Sequence, residues 1–168
     1  IEPLTQPERF GRDWRDAFHV ICPSIPGYGF SRAPRHPGFQ PRACAELFMQ
    51  LMEQLGYPRY FAQGGDVGSA VTTWLGALGG EHVKGIHLNL VFARPPKDNP
   101  MAGVTEAEQR ALTERQAYMT NEVGYQHIQG SKPQTLGYAL NDSPVGLAAW
   151  ITEKFHKWTH HTGNHEDA

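Results

Sequence analysis

Residues 59–65, RYFAQGG, read as a short strand, and GSAVTTWLGALGG from Gly68 reads as a helix rich in small residues; only Asp66 and Val67 stand between them. A strand that passes into a helix within so few residues must bend sharply, and its neighbours must be small. The same alternation runs through the first half of the chain. AFHVICPSI (17–25) has the β-branched content and length of a buried strand, and PGYGFS then breaks it with turn residues. From Gln40 to Leu55 the apolar positions Cys44, Leu47, Phe48, Leu51, Met52 and Leu55 recur at helical spacing, and Gly56 and Pro58 stop the pattern. HVKGIHLNLVF (82–92) is a further strand. Strand alternating with helix predicts an α/β fold, a parallel sheet of about three strands with flanking helices.

The second half changes character. ARPPKDNP is a proline-laden connection, and TEAEQRALTERQAYMTNEVG (105–124) is a polar helix with a weak apolar stripe. Two more helical patterns surround ALNDSPVGL, where Asp142 is expected to cap the helix that starts at Pro144. No strand signal follows Phe92. The division is therefore a core over residues 1–94 and a helical cap, or lid, over residues 95–168.

Composition narrows the function. A formal charge of −2 with a pI near 6.5 offers no basic excess for a row of phosphates, so no nucleic-acid partner is expected. Two cysteines, Cys22 and Cys44, are too few for a disulfide framework and read as buried thiols. No apolar stretch approaches the ~20 residues that cross a bilayer and no signal-type start is present, so a cytoplasmic protein without a membrane segment is expected. The start on IEPLTQPERF and the end on GNHEDA read as cut ends.

The bend itself carries the candidate chemistry. Gly64-Gly65-Asp66-Val67-Gly68 spaces an acid between glycines at a helix N-terminus, where the helix dipole favours a negative charge. Two roles fit: a carboxylate nucleophile lifted clear of the sheet, or a side chain that caps the helix behind it. A phosphate cradle does not fit, for both the G-x-G-x-x-G spacing and the lysine of a P-loop are absent.

Taken together, HVICPSIPGYGFS, GGDVGSAV, GIHLNL and GYQHIQGSKPQTLGYALNDSPVGLAAWITEKFHKW resemble, in this order, the microsomal-type epoxide hydrolases of the α/β-hydrolase fold. The resemblance implies a partial α/β-hydrolase fold in which Asp66 at the nucleophile elbow attacks an epoxide carbon. It implies that Tyr125, in the GYQHIQ motif, donates a hydrogen bond to the epoxide oxygen, and that the Val67 backbone N–H supplies half of an oxyanion hole. Water would then hydrolyse the alkyl-enzyme ester to a vicinal diol. A small apolar epoxide is the implied substrate, and no cofactor is implied. Haloalkane dehalogenases also use an elbow aspartate, followed by a tryptophan whose indole holds the halide; Val67 has no such donor. A binding module that kept the cap and lost the chemistry is the other alternative.

The family's His-Gly-x-Pro loop is expected before residue 1, and its second cap tyrosine, acid and catalytic histidine after Ala168. The chain is thus expected to stop at the ester and to be of marginal stability alone. Tyr28 and Phe30 line a pocket floor or anchor their loop, and Tyr138 and Trp150 join Tyr125 in an apolar cap. His87 and His127 read as core histidines. His160, His161, His165, Glu166 and Asp167 read as a solvated tail rather than a metal site.

Overall fold

The computed structural model describes residues 1–91 and 93–160 and divides into two compact units, Ile1–Arg94 and Pro95–Ala168. In the first unit, a short α1 (Glu2–Thr5) and two 3-10 turns precede a long irregular segment. Then follow α2 (Pro41–Gln54), β1 (Tyr60–Gly64), α3 (Val67–Leu78) and β2 (Val83–Leu88). The helix expected over 40–55 and both strands flanking α3 are present. β1 and β2 pair in parallel, with Ala62 opposite Ile86 and Gly64 opposite Leu88. Helix α3 is the crossover between them.

The sheet has two strands where about three are expected. Residues 17–25 form no strand. A strand needs a partner whose N–H and C=O groups face its own, and β1, paired with β2 on one side, is not joined by this segment on the other. Instead Phe18 packs edge-on against Phe61, its N–H donates to the Leu4 carbonyl, and Ile25 rests on the core. His19 bonds Tyr57 across the rings' polar atoms at 2.7 Å.

The core is small. Cys44 and Ala45 of α2 meet Val71 and Leu75 of α3, with Phe39, Phe48, Met49, Ala62 and Val83 around them. Small residues bring α3 close to β2 as well: a side chain at Gly76 would touch Ile86, and one at Gly79, just past the helix, would strike Val83. The sheet face opposite α3 stays open, which leaves Phe61 and His87 exposed. His87 is therefore not a core histidine, and His127 on the second unit is exposed as well. Cys22 is exposed because its segment joins no sheet; only Cys44 is the buried thiol expected of both.

The second unit contains α4 (Glu106–Asn121), α5 (Gly124–Ser131), α6 (Pro133–Asp142) and α7 (Pro144–Trp158). Thr105 and Glu108 form a reciprocal capping box at the start of α4. Ser143, not Asp142, caps α7: its hydroxyl accepts from the Gly146 N–H, while Asp142 is the last residue of α6. A hydroxyl next to Pro144 is placed to reach that amide, and Asp142 is still held in helix. None of the four helices carries a buried residue, and among the described residues of this unit only Val123, in the turn before α5, is buried.

Among the described residues only Cys44, Ala45, Val71, Leu75 and Val123 are buried apolar residues. Burial of apolar area is the main stabilising term, so the isolated chain is expected to unfold broadly and at low urea concentration. A sharp two-state urea transition with a high midpoint contradicts this. Glu108 gives a second check, since hydrogen bonds from the Thr105 N–H and hydroxyl hold its carboxyl below the ordinary glutamate value. A depressed folded value means that the box contributes above the unfolded glutamate value and is lost as pH falls through the folded one. Exchange of the Glu108 amide should therefore quicken only below the ordinary glutamate range.

Candidate functional site

The elbow is where packing dictates residue type. A Cβ at Gly64 would lie 2.5 Å from Thr72 Oγ1 and nearer still to the Gly68 carbonyl, so the end of β1 and the first turns of α3 touch through bare backbone. A Cβ at Gly65 would lie 3.0 Å from Asn89 Cγ. Gly68 departs from the expectation, because a Cβ there would meet nothing within 4 Å. Its part in the bend is played by its carbonyl, which fills the space beside Gly64.

Between these glycines Asp66 adopts φ 49° and ψ −126°, the one positive φ among the described non-glycine residues. Such a conformation costs an L-residue on the order of 1 to 3 kcal/mol and persists only where the surroundings impose it. The imposed geometry separates the two roles left open by the sequence. Asp66 sits at the N-cap position of α3, yet its side chain makes no capping hydrogen bond; the carboxylate is exposed and free of the helix it precedes. The Ser69 N–H is satisfied by the Gly65 and Asp66 carbonyls instead. Val67 opens α3, so its N–H belongs to the first-turn donors that have no acceptor within the helix. A carboxylate and an N–H without an acceptor in the helix thus share one helix end, with the positive end of the dipole beneath both.

Tyr125 lies in the second unit, one residue into α5. Its hydroxyl accepts from Gln126 Nε2 at 2.9 Å, which leaves the phenolic proton available for another acceptor. The ring is held by α7: Trp158 packs edge-on at 5.6 Å between centroids, and the Lys154 ammonium stands 5.0 Å over the ring. Lys154 is itself fixed. It donates to the Glu122 carbonyl at 3.1 Å and pairs with Glu153 at 2.9 Å and Glu122 at 3.8 Å. The Glu153 hydrogen bond holds the ammonium above the usual lysine value. Trp158 Nε1 donates to the Tyr118 hydroxyl at 2.7 Å. Sequence reasoning singled out Tyr125 but missed Lys154, Trp158 and Gln126; the i, i+4 spacing of 154 and 158 on one helix was the available signal.

Tyr28, Phe30 and Tyr138 are exposed. The described residues contain no group of three or more His, Cys, Asp or Glu side chains able to hold a metal, and residues 161–167 of the histidine-rich tail lie outside the described residues.

An acid in a strained turn between a parallel strand and a helix is a family mark, and a family model for the alpha/beta hydrolase fold matches residues 6–135. The chain belongs to the α/β-hydrolase fold family. It is 47% identical over 168 residues, all of its length, to a provisionally named epoxide hydrolase of Stigmatella aurantiaca. It is 45% identical to epoxide hydrolase 1 of Sus scrofa over 95% of its length. Both matches cover 38% of the relative, so the chain spans about two fifths of the length of the curated relatives it matches. Among solved structures it resembles the Aspergillus niger epoxide hydrolase, with TM-score 0.73 and 36% identity over 91% of this chain and 40% of that one. The juvenile hormone epoxide hydrolase of Bombyx mori superposes with TM-score 0.69 at 36% identity, over 82% of this chain and 35% of that one.

The backbone strain at Asp66 makes a measurable claim. Asp66→Gly should raise the urea midpoint, because glycine adopts positive φ at little cost. Gly64→Ala should lower it, through overpacking worth about 1 to 3 kcal/mol. Equal midpoints for all three proteins would show that the bend carries no strain.

Proposed function

We propose that this chain carries the nucleophile and cap portion of an epoxide hydrolase. The observation that carries the reading is the Asp66 carboxylate, exposed, uncapped and held at φ 49° on a helix N-terminus. The likeness to epoxide hydrolases over the whole chain supports it.

In the proposed reaction a carboxylate oxygen of Asp66 attacks an epoxide carbon and the C–O bond of the ring breaks. The departing oxygen needs a proton, and the resemblance to epoxide hydrolases assigns that role to the Tyr125 hydroxyl, whose lone pair is already engaged by Gln126. The charge that develops on the phenol oxygen is met by that amide and by the Lys154 ammonium near the ring, groups in place before the reaction begins. The product is a hydroxyalkyl ester of Asp66. Its hydrolysis would form a tetrahedral oxyanion to which the Val67 N–H can donate. That step needs a base, and none of this chain's histidines matches the family's base; His19 is bonded to Tyr57 and His82 to the Pro58 carbonyl. The 168-residue chain alone should therefore accumulate the ester. Valine at 67 brings no indole donor for a halide, which favours an oxirane over a haloalkane as the electrophile.

Incubation with an aryl epoxide such as styrene oxide should add one epoxide mass to the chain, and digestion should place it on Asp66. Asp66→Asn should take up none. Tyr125→Phe should slow the addition by about 10²-fold. A folded chain that binds the epoxide without any adduct would assign it to the non-catalytic binding modules instead.

A further inference from the structure

The strained conformation of Asp66 needs something to impose it, and besides the contacts of Gly64 the exit of β2 meets the bend. The strand ends at Leu88, and the next two residues lie along the elbow. The Asn89 carboxamide rests against Gly65: a Cβ built there would be 3.0 Å from both Cγ and Nδ2, and closer still to Oδ1. At the following residue the Leu90 carbonyl accepts a hydrogen bond from the Ser69 hydroxyl. Ser69 has no exposed surface, whereas Leu90 is 42% exposed, so the bond is buried on the donor's side alone.

Residues 65 and 69 flank Asp66 in sequence, and each is fastened to one of two consecutive residues beyond β2. The Ser69 N–H closes the loop from within, donating to the Gly65 carbonyl at 3.2 Å and the Asp66 carbonyl at 3.0 Å. Were Asn89 small, Gly65 would be free to relax toward solvent, and relief of the positive φ at Asp66 would drive it to do so. Asn89 itself is exposed and no side-chain hydrogen bond to it is needed; its effect is to occupy the volume into which the peptide before Asp66 would move.

We propose that Asn89 is a positioning residue for the nucleophile. It holds the Gly65–Asp66 backbone in the bent conformation, and the hydrogen bond from the buried Ser69 hydroxyl to the Leu90 carbonyl anchors the segment that carries it. It touches no reacting atom. The kinetic part of this proposal rests on the reading of Asp66 as nucleophile.

The test has two arms in the full chain. In the first, Asp66 alkylation by styrene oxide is followed by intact mass at several epoxide concentrations. Asn89→Ala should lower the limiting rate about 10- to 100-fold, as small misplacements of a reacting group do, with the half-saturating concentration unchanged. Asn89→Leu, which restores the branched volume without the amide, should recover most of the rate. A rate equal to that of the native chain in folded Asn89→Ala, or no recovery in folded Asn89→Leu, overturns the proposal. Should Asn89→Ala fail to fold, folding restored in Asn89→Leu supports the clamp and folding absent from both overturns it. The second arm is independent of chemistry and decides alone if the native chain takes up no adduct, an outcome that refutes the nucleophile reading. Gly65→Ala should lower the urea midpoint in the native background and lower it less in an Asn89→Gly background, the signature of two groups in contact. Equal shifts in both backgrounds overturn the clamp.

Discussion

The structure of the first unit depends on one steric exclusion: nothing larger than hydrogen fits between the end of β1 and the carbonyl of Gly68. Because backbone meets backbone there, α3 begins two residues after the strand stops rather than after a looser loop. Its packing on both strands then follows. Asp66 owes its unusual backbone in part to this exclusion and not to any hydrogen bond of its side chain, so the carboxylate stays uncommitted. Ordinary helix starts consume such a side chain as a cap; the geometry of this one prevents that.

The second unit uses a different principle. With no buried residue on any of its four helices, it is organised by polar and aromatic contacts at helix ends. Lys154, with only 13% of its side chain exposed, gathers the Glu122 carbonyl, two carboxylates and the faces of two aromatic rings. Exposed ion pairs contribute little to stability, and the peripheral pairs such as Arg9–Glu2 belong to that class. The Lys154 cluster differs because the Lys154 and Glu122 side chains at its centre are shielded, while Glu153 and Trp158 stay exposed around them. Tyr125 is oriented by this cluster, and the proton of its hydroxyl is left unspent because Gln126 supplies the bond its oxygen accepts.

Much of this was legible in the residues. Helical spacing located α2 and α4, and β1, α3 and β2 followed from composition and from the glycines that punctuate them. The nucleophile candidate was legible because a two-residue passage from strand to helix restricts what its members can be. The strand expected at 17–25 was misread because β-branched content reports suitability for a sheet and not the presence of a neighbour to pair with. Cys22 and His87 were misread for the same reason, since each was assigned to a layer that no element covers. Asn89 and Ser69 gave no signal. Their contacts join positions about twenty residues apart, and no local pattern encodes a distance of that kind. Whether Asp66 caps or stands free was equally invisible, as it depends on a dihedral angle that both readings share in sequence.

Ser143 closes α6 and opens α7 with no spacer residue on either side. Two helices that share one junction residue are geared: each residue inserted or removed between them turns α7 by about 100° about its axis. Such a turn would carry the ammonium and indole of α7 off the phenol ring and offer it solvent in their place. The length of this joint is thereby as constrained as the identity of any side chain near it, and tolerated changes of length should fall in the 95–104 connection instead.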